Sequence, residues 1–186
     1  MALSSNYPVA QGLYDPAQEH DACGVAMVAT LNKIATHDIV AKALTALRNL
    51  EHRGASGAEP DSGDGAGILI RVPDAFYRAE VSFTLPAEGL YATGIAFIAQ
   101  GADVRAQIAK LADEESLTVL GWRELPINSS SLGKTALSVM PRFEQLFVAG
   151  KKNESGIILD RLTFALRKRA EHALDLYFPS LSSQTI

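Results

Sequence analysis

Cys23 is the only cysteine among the 186 residues, and it lies in the stretch Glu19-His20-Asp21-Ala22-Cys23-Gly24-Val25-Ala26-Met27-Val28-Ala29. A thiolate is the most readily formed strong nucleophile among protein side chains. Here the sulfur stands at the mouth of an apolar run, with a small residue on each side, so a substrate has open access to it. A sulfur serving only as core filling would sit more naturally inside that run. Free cysteine is nonetheless among the most buried residue types, so the residues alone leave two readings open, nucleophile or core sulfur. A cysteine hydrolase that takes His20 or His52 as its base is a third reading, with no local signature behind it.

Other chemistries fit the residues poorly. No Gly-x-Ser-x-Gly elbow is present for a serine hydrolase. His20 and Cys23 are three apart, but His37, His52 and His172 offer no second pair at zinc-ligand spacing. Each of these lone histidines therefore reads as a surface residue or one behind a site. Residues 54–67, GASGAEPDSGDGAG, form the most glycine-rich segment. A calcium loop opening at Asp61 would need Glu at its twelfth position, where Val72 stands. A phosphate loop would need Lys-Ser or Lys-Thr after the last glycine, where Ile68-Leu69 follow. A dinucleotide loop leaves a strand and enters a helix, and this one does the reverse. The segment reads as a tight connection whose glycines take positive φ. Arg167-Lys168-Arg169 reads as the solvated face of a helix.

Hydrophobic periodicity predicts the elements that must hold such a thiol in place. Gly24 to Leu31 reads as a strand, with Asn32-Lys33 as its turn. Thr36 is the expected N-cap of a helix with Asp38 in its first turn. Ile39, Val40, Ala43, Leu44, Leu47 and Leu50 follow at helical spacing to a stop at Arg53-Gly54. Ile68 to Val72 reads as a strand, Pro73-Asp74 begins a short helix through Arg78, and Leu90 to Ala99 is a further strand. Val104, Ile108 and Leu111 mark a helix ending at Asp113-Glu114-Glu115. Leu117 to Leu125 reads as a strand with imperfect alternation, and Asn128 to Ser131 as a polar loop. Phe143 to Val148 is a predicted strand. Ile158, Leu162, Ala165, Leu166 and Ala173 line one face of a long helix, and Leu174 to Leu181 reads as a last strand. The order β, α, β, α, β, α, β, β, α, β, without internal repeats, indicates a mixed α/β domain.

Composition narrows the function classes. Apolar residues make up 47%, charged residues 20%, and the net charge is −4. That is an ordinary globular balance, with no basic footprint for nucleic acid or an anionic membrane. No apolar run reaches the roughly 18 residues of a membrane span, and residues 1–22 lack the basic start and apolar core of a secretory signal. One cysteine forms no internal disulfide, which fits a reducing compartment. The expectation is a cytoplasmic domain with no membrane, nucleic-acid or metal partner. The chain stops at Ile186 directly after a predicted strand and turn; a natural domain can end that way, and a truncated one is at least an equal reading.

Two long motifs carry a resemblance. Gly12-Leu13-Tyr14-Asp15-Pro16 precedes Glu19-His20-Asp21-Ala22-Cys23-Gly24-Val25. Glu51-His52-Arg53-Gly54-Ala55 precedes Pro60-Asp61-Ser62-Gly63-Asp64-Gly65-Ala66-Gly67-Ile68-Leu69. Together they closely resemble the N-terminal part of the class II glutamine amidotransferase domain in the large (alpha) subunit of bacterial-type glutamate synthase. Gly121-Trp122-Arg123, the Arg167-Lys168-Arg169-Ala170-Glu171 helix and Ser180-Leu181-Ser182-Ser183 look similar more loosely. Other class II amidotransferases share the Cys-Gly start, but the Asp-Ser-Gly-Asp-Gly-Ala-Gly loop points to glutamate synthase. Tyr177-Phe178-Pro179 departs from the pattern, and a proline there requires a sheet edge.

The resemblance implies an α+β fold of the N-terminal-nucleophile hydrolase type, a four-layer αββα sandwich with antiparallel sheets, incomplete in this chain. It implies that residues 1–22 are a leader or propeptide and residues 23–186 the N-terminal portion of the amidotransferase domain. Catalysis falls to Cys23, which hydrolyses the glutamine side-chain amide through a thioester to supply ammonia for glutamate formation from 2-oxoglutarate. Its freed α-amine, with a pKa near 8 against about 8.5 for the thiol, is matched to serve as the base. Arg53 is carried over as a substrate-binding residue. Ordering the cysteine-bearing segment and satisfying carbonyls at a helix C-terminus are equal alternatives for it. The glycine loop at 61–67 is architectural, shaping the wall of the site. The Asn-Gly oxyanion element is absent, since Asn128 and Asn153 are each followed by another residue. It is expected beyond Ile186, together with the acidic residue for the substrate amine. No cofactor is expected in this segment, whereas the full-length enzyme carries FMN and an iron–sulfur cluster and uses NADPH or another electron donor. The implied partners are L-glutamine, the remainder of the large subunit and a small subunit. The alternative is a truncated, catalytically incomplete amidotransferase fragment acting only as a structural or interaction unit.

Overall fold

Residues 10–12, 24–32, 34–50 and 65–186 are described by the structure, a computed structural model. The chain divides into two units, residues 1–68 and 69–186. In the first unit the described regular element is helix α1, His37–Asn49. Ile39, Val40, Ala43, Ala46, Leu47 and Leu50 form its partly buried side, close to the spacing expected. Thr36 holds the N-cap position with an extended backbone but makes no side-chain cap bond, and the helix ends at Asn49 rather than at Arg53-Gly54.

The strand expected at Gly24–Leu31 is not formed. Residues 24–30 have no regular structure, and Val25 and Met27 are 94% and 89% exposed. An apolar run favours burial, but only a ladder of backbone bonds makes a strand. Among the described residues no segment offers this run such a ladder.

The second unit is built on one antiparallel sheet. Its strands are β1 (Tyr91–Ile98), β2 (Leu117–Glu124), β3 (Arg142–Gly150) and β4 (Leu176–Tyr177), in the order β2-β3-β1-β4. β1 and β3 pair along their whole length, from Tyr91 opposite Ala149 to Ile98 opposite Arg142. Antiparallel pairing throughout makes the domain α+β, which corrects the mixed α/β reading of element order and agrees with the α+β class that the resemblance implies; of the expected four-layer αββα sandwich, one open antiparallel sheet is seen among the described residues. Outside this sheet, Arg71 bridges Thr185 as an isolated antiparallel pair.

Side-chain alternation divides the sheet into two faces. Ala92, Ala96 and Ile98 of β1 and Leu146 and Val148 of β3 join a cluster with helices α3 (Arg105–Glu114) and α5 (Gly156–Ala173). The helices contribute Ile108 and Ala112 from α3, and Leu159, Leu166 and Ala170 from α5, each set at helical spacing. On the opposite face Tyr91, Phe147 and Ala149 pack with Val72, Leu85 and Tyr77, the last from helix α2 (Asp74–Glu80). Tyr77 and Phe83 meet Phe147 edge-on at 5.1 and 5.4 Å between ring centres.

The imperfect alternation of Leu117–Leu125 has a structural cause. The β2–β3 register shifts between Val119 and Gly121, so Leu117 and Val119 before the bulge and Trp122 after it all pack against the helix-side cluster. The strand expected at Leu174–Leu181 pairs regularly only at Leu176 and Tyr177. Pro179 lies two residues beyond this short edge strand, outside the ladder, where its missing N–H costs no strand bond. Helix α4, Lys134–Val139, was not expected. At six residues it is too short to display a periodic face.

Candidate active site

Cys23 and Arg53, the residues assigned to catalysis and substrate, lie outside the described residues, as do His20, His52 and the loop residues 61–64. The structure does place their sequence neighbours. Gly24 follows Cys23 into the exposed run, α1 leads towards Glu51-His52-Arg53, and Gly65–Ile68 continue from the glycine-rich loop. The two remaining histidines, His37 and His172, are exposed, as lone surface histidines should be.

The polar groups in the second unit form saturated networks. Buried Gln145 donates from Nε2 to the Tyr77 hydroxyl at 2.8 Å and to Thr93 Oγ1 at 3.0 Å, and Thr93 donates onward to the Leu146 carbonyl at 2.8 Å. Burial, the largest influence, pushes the Tyr77 phenol above its ordinary range. Tyr91 is pushed up further, by burial and then by its hydroxyl bond to the Asp74 carboxylate at 3.0 Å. Asp74 is held below the usual carboxylate range because Arg78 donates to both its oxygens, at 2.8 and 2.9 Å. Two neutral phenols and a paired carboxylate supply neither nucleophile nor free base at neutral pH. Among the described residues no buried side-chain polar atom lacks a partner.

Two further clusters are ionic. Glu144, buried on β3, accepts from Arg105 at 2.9 Å and from Arg142 at 2.7 Å. Arg167 and Lys168 pair with Glu171 at 3.1 and 2.7 Å, and Arg169 pairs with Glu114 and Glu115. The 167–169 group is thus ion-paired rather than a free solvated face. A cleft of about 280 Å³ lies between Gln100, Glu124, Ile127 and Met140, and it gathers none of the residues singled out in the sequence. Among the described residues no group of three or more His, Cys, Asp or Glu could hold a metal ion. No described helix is long and apolar enough to cross a membrane.

Gln145 and Thr93 carry the buried part of this polar order, and the sequence reading missed both. Each stands alone in the sequence, and its partners are distant along the chain, so no local pattern announces it.

Comparison with known proteins supplies what geometry does not. The model of the class II glutamine amidotransferases matches residues 23–186. The large chain of the NADPH glutamate synthase of Bacillus subtilis is 43% identical over 190 residues, covering 96% of this chain and 12% of that protein. The ferredoxin-dependent glutamate synthase 1 of Arabidopsis thaliana, chloroplastic/mitochondrial, is 37% identical over 193 residues, with the same coverage of both. The NADH glutamate synthase of Schizosaccharomyces pombe is 36% identical over 196 residues, covering 96% of this chain and 9% of that protein. The chain thus spans about an eighth or less of the length of these relatives.

Proposed function

Because the chain belongs to the class II glutamine amidotransferase family, we propose that residues 23–186 are the N-terminal portion of a domain that hydrolyses the side-chain amide of L-glutamine. In this proposal residues 1–22 are a leader whose removal exposes Cys23 as the N-terminal residue. The Cys23 thiol passes its proton to the freed α-amine as the sulfur adds to the amide carbon. Collapse of the adduct expels ammonia, which carries that proton away, and leaves a γ-glutamyl thioester. Water, deprotonated by the same amine, then releases glutamate and restores the thiol. While Ala22 remains attached, that nitrogen is an amide and cannot act as base, so the precursor is latent. Arg53 is assigned to the substrate, where a guanidinium suits the glutamine carboxylate.

The proposal extends to a whole glutamate synthase, the class of protein these relatives are named as: the ammonia is used to form glutamate from 2-oxoglutarate, the rest of a large subunit and a small subunit complete the enzyme, and the protein is placed in the cytoplasm. A single cysteine cannot supply the thiolates that hold an iron–sulfur cluster. No step of the proposed hydrolysis runs through that cluster, FMN or a nicotinamide donor. The observation that carries the proposal is the family match, which starts at the chain's single cysteine. Intact mass spectrometry of the expressed protein tests it, with loss of residues 1–22 expected. Cys23→Ala is expected to abolish glutamine hydrolysis, and hydrolysis surviving in that variant overturns the assignment.

A further inference from the structure

Beyond β4 the chain crosses between two pairings. Thr93 and Ser182 exchange backbone bonds at 3.0 and 3.1 Å, which ties residue 182 to the edge of β1. Two residues on, Val72 donates to the Gln184 carbonyl at 3.0 Å, and Ile70 and Ile186 exchange bonds at 2.8 and 2.9 Å. The residues at 70–72 are those that follow the glycine-rich segment. Only Ser183 separates the two pairings, and it is buried. One carboxylate oxygen of α5 holds this crossing. Asp160 Oδ1 accepts from the Ser183 backbone N–H at 2.8 Å, from its hydroxyl at 2.9 Å and from the Ser182 hydroxyl at 3.3 Å. Charge-assisted bonds from a backbone N–H and a hydroxyl to one fixed oxygen define direction as well as distance. The Ser182 hydroxyl in turn accepts from the Gln184 N–H at 3.0 Å, so the first residue of the second pairing is tied to the same knot.

We propose that Asp160 is a positioning residue for residues 70–72, acting through the 182–186 tail that it pins at Ser183. The placement stands on these bonds alone, independently of the amidotransferase reading above, and amide exchange resolved by NMR on the whole chain tests it. In Asp160→Ala the Ile70, Val72 and Ile186 amides exchange at least about tenfold faster, the scale of a lost hydrogen bond to a charged group. The Leu146 and Val148 amides of central β3 keep their rates. Asp160→Asn, which retains an acceptor for Ser183, keeps most of the protection. Unchanged exchange at the three amides in Asp160→Ala, or acceleration shared equally with β3, overturns the proposal. Should that variant not fold, Ser183→Ala removes one of the three donors and carries the same test, selective acceleration supporting the placement and any other pattern overturning it.

Discussion

Gly94→Ala is expected to destabilise the second unit through its close approach to the 180–181 backbone. A Cβ built at Gly94 would lie 2.2 Å from the Ser180 carbonyl oxygen and 3.0 Å from Leu181 Cα. Both are backbone atoms, so no side chain can turn aside. Even a close carbon–oxygen contact needs about 3.3 Å, so the tail must retreat by about 1 Å. That retreat pulls on the Thr93–Ser182 pair, whose bonds are 3.0 and 3.1 Å. Overpacking costs about 1–3 kcal/mol, and a weakened backbone bond adds about 1 kcal/mol. The sum is about 2–4 kcal/mol. Trp122, the only tryptophan, packs against the helix-side cluster and reports unfolding by fluorescence. With a urea slope of about 2 kcal/mol per molar, the midpoint falls by about 1–2 M. Gly67→Ala, at a position with ordinary φ and nothing within 4 Å of its Cβ, is the control and changes stability by less than about 0.5 kcal/mol. A Gly94→Ala midpoint equal to that control refutes the claim that the tail's close approach fixes this glycine.

Two further outcomes follow from the same packing and pairing. Asp74 has its folded pKa depressed, first by the hydrogen bonds from Arg78. Its stabilisation is therefore present above the unfolded value of about 3.9 and is lost as pH falls through the lower folded value; Asp74→Asn flattens that acid limb of stability measured against pH, and an unchanged limb contradicts the pairing. Leu166→Ala empties a fully buried site between α5 and the sheet and costs about 2–5 kcal/mol. Phe164→Ala on the same helix, 58% exposed, costs less than about 0.5 kcal/mol in the same denaturation assay.

Most elements of the second unit were legible because each carries its own period. Tyr91–Ile98, Arg105–Glu114, Arg142–Gly150 and Gly156–Ala173 all lie within two or three residues of their expected bounds. What local reading missed was set by distant partners. Gly24–Leu31 has the composition of a strand, yet pairing belongs to two segments, and one segment's sequence cannot supply the other. The β2 bulge hid its alternation, and the last strand stops at Tyr177, two residues short of Pro179, on an edge that only the finished sheet shows. The candidate site divides in the same way. Cys23 and Arg53 stood out by type and by the motifs around them, whereas the Asp160 knot joins residues 22 and 23 positions apart and leaves no local trace.

The claim that Cys23 is the nucleophile is tested most directly by acid-quenching the enzyme during turnover of glutamine and mapping adducts by peptide mass spectrometry. The account predicts a single glutamyl group on the sulfur of a Cys23 that is itself the N-terminal residue. Ammonia release with Cys23 unmodified, or an adduct on a chain still carrying Ala22, would contradict it.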